Sequence, residues 1–277
     1  MRYGILGPLE VIGDAGPLRV AGAKLRALLV LLLLDANRVV SVDRLVEELW
    51  GGRPPPRATV TLRSYVSMLR RVLEPDRAAG ATAEVLAWQP PGYVLRVGPD
   101  DLDAARFERL ARDGRAVLPS DPVAADALLG EALALWRGDA LADVAFEPFA
   151  QGEVARLGEL RLATAEDQVE ARLAAGRHAE VVPDLERLLA ANPLRERLRG
   201  QLMLALYRSG RQADALRAYR DGRDLLVEEL GIEPGPALRR LQEEILLQSP
   251  TLDWQPPGRA RATAGGGHAQ PGGARGQ

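Results

Sequence analysis

The stretch TVTLRSYVSMLRRVL, residues 59–73, decides the fold of the first third of the chain. On a helix, Leu62, Val66, Leu69 and Leu73 fall on one side and predict the face that packs into a core. The remaining faces carry arginine and hydroxyl groups but no acidic residue, whereas a solvated helix face usually mixes both signs of charge. Such a helix is suited to contact a polyanion.

Two helices are predicted in front of this stretch. Residues 23–36 are rich in leucine and alanine and contain no breaker, which predicts a buried helix. Ser41 is the expected N-cap of a second helix, which ends at Gly51-Gly52. With residues 59–73 as the third, these helices have the order of a helix-turn-helix module.

Strands are predicted on both sides of the three helices. Residues 3–20 are short apolar runs broken by Gly, Pro and Asp, typical of small strands with turns. Two β-prone arms, around 85–88 and 93–97, are joined by Gln-Pro-Pro-Gly and predict a hairpin. The whole is a winged helix-turn-helix, in which the third helix enters the major groove and the hairpin is the wing.

The predicted DNA contacts are arginine and hydroxyl side chains, which suit phosphate oxygens and the acceptor edge of guanine. They lie on the third helix, just before it, and in the wing: Arg57, Thr59, Arg63, Ser64, Ser67, Arg70, Arg71 and Arg96. Trp50 and Trp88 are interpreted as core residues, with base stacking as the alternative for Trp88, and Tyr93 as packing against the third helix. The alternative for the third helix is a surface helix that is basic by chance.

The charge distribution supports a division of labour along the chain. Residues 1–97 hold 13 basic and 9 acidic side chains, a net charge of +4, while the remainder holds 23 and 29, a net charge of −6. A basic first domain followed by an acidic remainder suggests that only the first domain meets a polyanion. No apolar run approaches the roughly 20 residues of a membrane span, so no membrane partner is expected.

From about Asp101 onward the pattern is helical. The predicted segments are 101–117, 121–136, 147–175, 177–191, 194–209, 211–230 and 234–248. Gly176-Arg177 and Gly210-Arg211 begin matching stretches 34 residues apart, which is the tetratricopeptide period. We predict a winged helix-turn-helix domain at 1–97, a helical-repeat domain at 104–250 and a disordered tail at 251–277.

Catalysis is not predicted. The chain has no cysteine and two histidines, His178 in the repeat region and His268 in the tail, neither with a metal or triad partner pattern. It contains no phosphate-binding loop and no dinucleotide fingerprint. No catalytic residue, metal site or cofactor is therefore expected.

Two blocks of the sequence resemble a known family. Residues 22–73, GAKLRALLVLLLLDANRVVSVDRLVEELWGGRPPPRATVTLRSYVSMLRRVL, and PPGYVLRV at 90–97 resemble the amino-terminal domain of the actinomycete antibiotic regulatory proteins, the SARP family. ALRAYRDGRDLLVEELGIEPGPALRRLQEEIL, residues 215–246, is similar to the end of their bacterial transcriptional activation domain. The resemblance implies an α+β fold: an OmpR-like winged helix-turn-helix followed by an all-α, tetratricopeptide-like activation domain.

The resemblance also implies a function. Such proteins are pathway-specific activators of secondary-metabolite (antibiotic) gene clusters, which bind direct repeats near the promoter −35 region and recruit RNA polymerase holoenzyme. The expected partners are double-stranded promoter DNA, the polymerase and a head-to-tail neighbour on DNA. Because the sequence shows no secretory signal and no cysteine, a cytoplasmic, nucleoid-associated location is expected. Many members of the family have arginine where this chain has Met68, so the chain departs from the family at one expected contact. The runner-up is a helical-repeat scaffold that binds a protein or a small ligand.

Overall fold

The computed structural model describes residues 1–78 and 81–255 of the chain. The described residues form six strands, ten α-helices and one short 3₁₀ helix. The strands are β1 (Arg2–Gly4), β2 (Glu10–Gly13), β3 (Gly16–Pro17), β4 (Val40–Ser41), β5 (Leu86–Gln89) and β6 (Gly92–Leu95). The helices are α1 (Ala23–Leu34), α2 (Val42–Trp50), α3 (Ala58–Leu73), α4 (Asp103–Val117), α5 (Pro122–Ala134), α6 (Pro148–Ala174), α7 (His178–Ala191), α8 (Glu196–Arg208), α9 (Gln212–Leu230) and α10 (Pro236–Leu246).

The first strands form the small amino-terminal sheet that the sequence predicts. β1, β2 and β3 are antiparallel in that order, with Tyr3 opposite Val11. Burial raises the pKa of the Tyr3 phenol to about 12, and the nearby Asp101 and Glu74 add to the shift. Tyr3 lies on the packed side of this sheet, where it is 3% exposed.

The three helices and the wing follow in the predicted order. In α1 the eight side chains of Leu25 and residues 27–33 are buried, so this helix forms the centre of the core. The Ser41 side chain accepts a hydrogen bond from the Arg44 amide at 3.2 Å and caps α2, as predicted. β4, β6 and β5 form the second sheet, in which β5 is the edge strand of the wing.

The chain divides into two compact units, residues 1–168 and residues 169–277. The first unit continues beyond the predicted domain boundary between residues 97 and 104. One buried apolar cluster runs from Tyr3 through Phe107, on α4, to Leu157, on α6. Hydrogen bonds cross the same boundary, because the Leu141 amide donates to the Ile5 carbonyl at 2.8 Å.

The second unit, described as far as residue 255, contains the repeat. Gly176 and Gly210 both adopt positive φ, +84° and +77°, in turns that precede α7 and α9. Each is followed by an arginine whose Nε lies 2.8 Å from an acid three residues later, Glu180 or Asp214. The matching turns are the reason that α7 and α9 begin 34 residues apart, at His178 and Gln212.

The ordered chain extends beyond the predicted start of the tail at residue 251. Pro250–Leu252 form the 3₁₀ helix, and the Trp254 indole Nε1 donates to the carbonyl of Ala174 at 2.8 Å. The isolated tryptophan provides the apolar contact that the composition of the tail does not suggest. The rest of the predicted disordered tail, 256–277, lies outside the described residues. Of the helices described, none is long and apolar enough to cross a membrane.

Candidate nucleic-acid interface

The exposed side of α3 presents a stripe of polar side chains four residues apart. Thr59, Arg63, Ser67 and Arg71 are all exposed, while Leu62 and the other predicted core residues of this helix are buried. Successive members of the stripe turn by about 40° and rise by about 6 Å, so the stripe is roughly 18 Å long. A helix that carries such a stripe can enter the major groove, which admits an α-helix.

The two arginines of this stripe, Arg63 and Arg71, have no internal partner in the part of the chain that the structure describes. Within residues 1–78 and 81–255, neither Arg63 nor Arg71 forms an ion pair or a side-chain hydrogen bond. Elsewhere in the same unit, Arg26 pairs with Asp143 at 3.2 Å and Arg44 with Asp35 at 2.9 Å. Unpaired guanidinium groups beside hydroxyls make a surface complementary to phosphate.

The hydroxyl groups differ in what they can donate. The Ser64 hydroxyl donates to the Val60 carbonyl within the helix at 3.2 Å, so its proton is already engaged. Thr59 and Ser67 make no such side-chain hydrogen bond with any described residue. These two are better placed to donate to an external oxygen.

Arg70 has a different environment from the other predicted contacts. Its Nε donates to the Leu86 carbonyl at 2.9 Å, and its guanidinium lies 5.8 Å from the centre of the Tyr93 ring. The side chain is half-buried, so it joins α3 to both strands of the wing. It therefore positions the wing against the helix, and Tyr93 packs as the sequence predicts.

The wing exposes a tryptophan. Trp88 was expected in the core, and that interpretation is wrong, since its side chain is 52% exposed on the edge strand β5. It contacts Tyr93 edge-to-face, with 5.0 Å between ring centres. The alternation of side chains along the hairpin indicates that the wing has two faces. It does not indicate that one of these faces stays exposed.

Gly92 holds the wing against the body of the module through its lack of a side chain. It lies opposite Ser41 in the pairing of β4 with β6. A Cβ at Gly92 would be 1.8 Å from the carbonyl oxygen of Val40, a distance that no side chain tolerates. The glycine is thus needed for close strand approach, in addition to the turn that the sequence predicts.

The remaining predicted residues lie around this face. Arg57 is exposed immediately before α3, and Arg96 is exposed immediately after β6, at the base of the wing. Met68 is 46% exposed and Val60 is 58% exposed on the outward side of α3, so the polar stripe has apolar neighbours. Trp50 is half-buried and stacks on Tyr65, with 6.4 Å between ring centres.

A small sheet, three helices and a wing with a basic third helix define a winged helix-turn-helix regulator, here followed by a helical-repeat region. Residues 20–95 match the family model "Transcriptional regulatory protein, C terminal", and residues 102–246 match "Bacterial transcriptional activator domain". The chain belongs to the SARP family of transcriptional regulators, whose members are not enzymes. The predicted family and fold class are thereby confirmed.

Relatives of known name support the assignment. Transcriptional regulator RedD of Streptomyces coelicolor is 41% identical over 256 residues, which cover 91% of this chain and 72% of RedD. Regulatory protein AfsR of the same organism is 44% identical over 254 residues, but the chain spans only 25% of that protein.

A solved structure is similar to this chain over most of its length. The Mycobacterium tuberculosis EmbR protein, determined in complex with a low-affinity phosphopeptide, superposes with a TM-score of 0.85 at 39% identity. The match covers 90% of this chain and 65% of the EmbR chain. EmbR is also named as a transcriptional regulatory protein.

Proposed function

We propose that this chain is a sequence-specific DNA-binding activator of a secondary-metabolite biosynthetic gene cluster. It binds direct repeats near the promoter −35 region and recruits RNA polymerase holoenzyme. The observation that carries the proposal is the exposed stripe on α3, in which Arg63 and Arg71 have no internal partner among the described residues. Such groups gain most from phosphate and guanine contacts, since no existing ion pair has to break.

The structure supports separate roles for the residues of the interface. Arg63, Ser67 and Arg71 face outward and contact bases or phosphates, and Thr59 and Arg57 anchor the start of the helix to the backbone. Arg96 contacts phosphate from the wing. Ser64 accepts rather than donates, because its proton is used within the helix.

Two subunits on DNA are part of the proposal. One α3 is about 24 Å long and covers few base pairs, and a single module buries a small interface. Specific recognition therefore needs adjacent subunits, and direct repeats require a head-to-tail contact between them. The acidic helical region, which DNA repels, remains available for the neighbour or the polymerase.

The decisive experiment measures binding of the full chain to DNA from the intergenic region beside its own gene. Fluorescence anisotropy should give a linear fall of log affinity with log salt, with a slope of about −0.9 per phosphate contact. Replacing Arg63 and Arg71 together by alanine should weaken binding at least tenfold. The control is Arg112→Ala, the same loss of charge from an exposed position on α4.

Four outcomes would overturn parts of the proposal. Equal affinity for promoter and unrelated DNA would remove sequence specificity. Equal loss in the double variant and in the Arg112 control would remove α3 as the interface. Binding to one repeat as tightly as to two would remove the paired arrangement, and no stimulation of purified polymerase by a bound protein would remove activation.

A further inference from the structure

A cavity in the second unit lies between the end of α6 and helices α8 and α10. Its volume is about 710 Å³, within the range of small-molecule sites. Its apolar floor is formed by Leu173, Leu204, Leu238 and Leu241. At Gly200 an added Cβ would only approach Leu238 and Leu241 at 3.6 and 3.7 Å, so the missing side chain adds room to the cavity.

Trp254 forms one wall of this cavity. Its indole is fixed by the hydrogen bond from Nε1 to the Ala174 carbonyl and by its contact with Gly176. A Cβ at Gly176 would lie 2.7 Å from the indole, so the lack of a side chain there leaves the space that the ring occupies. The residue remains 37% exposed and lines the cavity, so it presents an aromatic surface to a ligand.

The charged side chains that line the cavity differ in whether an ion pair or hydrogen bond already engages them. Glu170 pairs with Arg197 at 2.7 Å, and Glu196 accepts a hydrogen bond from the Gly235 amide at 2.7 Å. Arg208 donates through Nε to the Leu252 carbonyl at 2.7 Å, but no described carboxylate forms an ion pair with it. Burial lowers the pKa of this guanidinium, and the charge of the nearby Asp253 only partly opposes that effect.

A half-buried cation without an ion pair is costly unless something balances it. Here it lies beside an apolar cavity and an aromatic wall. We propose that this cavity binds a small planar organic carboxylate, with its anionic group on the two terminal nitrogens of Arg208 and its apolar body against Trp254 and Leu241. Glu170 and Glu196 already have partners, Arg197 and the Gly235 amide. A ligand with one negative group would therefore balance the charge of Arg208.

The test uses the full chain labelled with 5-fluorotryptophan and titrated with sodium 2-naphthoate. The chain has four tryptophans, and the Trp254→Phe variant assigns the resonance of interest. In ¹⁹F NMR spectra, 2-naphthoate should shift the Trp254 signal saturably and leave the signals of Trp50, Trp88 and Trp136 in place. The neutral analogue 2-naphthalenemethanol should bind at least tenfold more weakly, because it cannot form the charge-assisted pair.

Two variants separate the charge from the cavity. Arg208→Gln should reduce the affinity for naphthoate about tenfold and leave that for the alcohol unchanged. Gly200→Leu fills the cavity from a position with room for a Cβ and should abolish binding of both compounds. Arg217→Gln, an exposed arginine on α9 that pairs with Asp214, is the matched control.

The proposal fails if 2-naphthoate causes no saturable shift at millimolar concentration, or if the acid and the alcohol bind equally to the unmodified chain. The second comparison needs no variant and is therefore independent of any folding defect. A shift confined to the other tryptophans would also overturn it. If the cavity bound a peptide carboxylate and not 2-naphthoate, its ligand would be a protein partner and not a small molecule.

Discussion

The carboxylate of Asp103, in the first turn of α4, accepts a hydrogen bond of 2.8 Å from the backbone amide of Ile5, 98 positions earlier. The same carboxylate accepts from the Leu6 amide at 3.0 Å and pairs with Arg137 at 3.2 Å. The parallel bridge between Tyr3 and Leu102 lies next to it. The amino-terminal sheet is thus tied to α4, because the carboxylate of Asp103 accepts hydrogen bonds from the backbone amides of Ile5 and Leu6.

Asp103→Ala should lower the free energy of unfolding of the first unit by about 2–4 kcal/mol, because two amides lose a charged acceptor. Urea unfolding followed by circular dichroism measures the loss. The control is Asp100→Ala, whose carboxylate is exposed and pairs with Arg109, and for which a loss below about 1 kcal/mol is expected. Equal losses at the two positions would show that the sheet does not depend on Asp103.

Met68→Arg should strengthen binding to promoter DNA, because it adds a guanidinium to the exposed, outward side of α3. The salt slope should become steeper by about 0.9, the value for one more phosphate contact. Arg71→Ala should lower the slope by a similar amount, and Met68→Ala should change it little. Equal effects of Arg71→Ala and Met68→Ala would mean that the outward side of the helix has been misassigned.

The two repeat glycines should respond differently to alanine. Gly210→Ala should cost about 1–2 kcal/mol, since it forces a positive φ on a residue with a Cβ in otherwise open space. Gly176→Ala should cost more, because its Cβ would also displace Trp254. Thermal unfolding monitored by tryptophan fluorescence compares them. Gly152→Ala, in α6 and with open space around it, should instead be neutral or stabilising.

Protonation of His178 should loosen the second unit. Burial lowers the pKa of this imidazole, and the positive charge of Arg208 lowers it further. The folded chain therefore binds the proton less readily than the unfolded chain, and stability falls as the pH drops below about 6.5. Asp253 lines the same hollow, and the Trp254 ring lies edge-to-face at 5.9 Å.

The measurement is the melting temperature of the second unit at pH 8 and pH 5.5. His178→Gln should flatten the dependence over this interval, while His268, present in both proteins, contributes equally to each. An unchanged dependence in the variant would assign the effect to other groups.

Helix positions were largely predictable from the sequence. The predicted third helix, 59–73, is observed as Ala58–Leu73, because apolar periodicity fixes the buried face and proline fixes the start. The 34-residue echo predicted two equivalent turns, and both glycines have the positive φ that explains it. Local signals of this kind survive in any tertiary context.

Features that depend on distant partners were not predictable. Periodicity places Arg70 beside the outward face, but its engagement depends on a carbonyl of β5 that the hairpin brings near. Trp88 is a large apolar side chain of the kind usually found in a core, yet nothing among the described residues covers the outer side of the edge strand. A change from strands to helices at residue 101 suggested a domain boundary, although the packed core continues through it.

That continuity has a consequence for the exchange of parts between regulators. Chimeras are naturally cut where two family models adjoin, and here the matches end at residue 95 and resume at residue 102. In a chimera joined there, the amides of Ile5 and Leu6 would face a residue of another protein in place of Asp103. Phe107 would likewise pack against the core of another protein. Grafts that carry α4, α5 and the first part of α6 with the winged helix keep this shared core intact, so the transferable cassette is the first 168 residues.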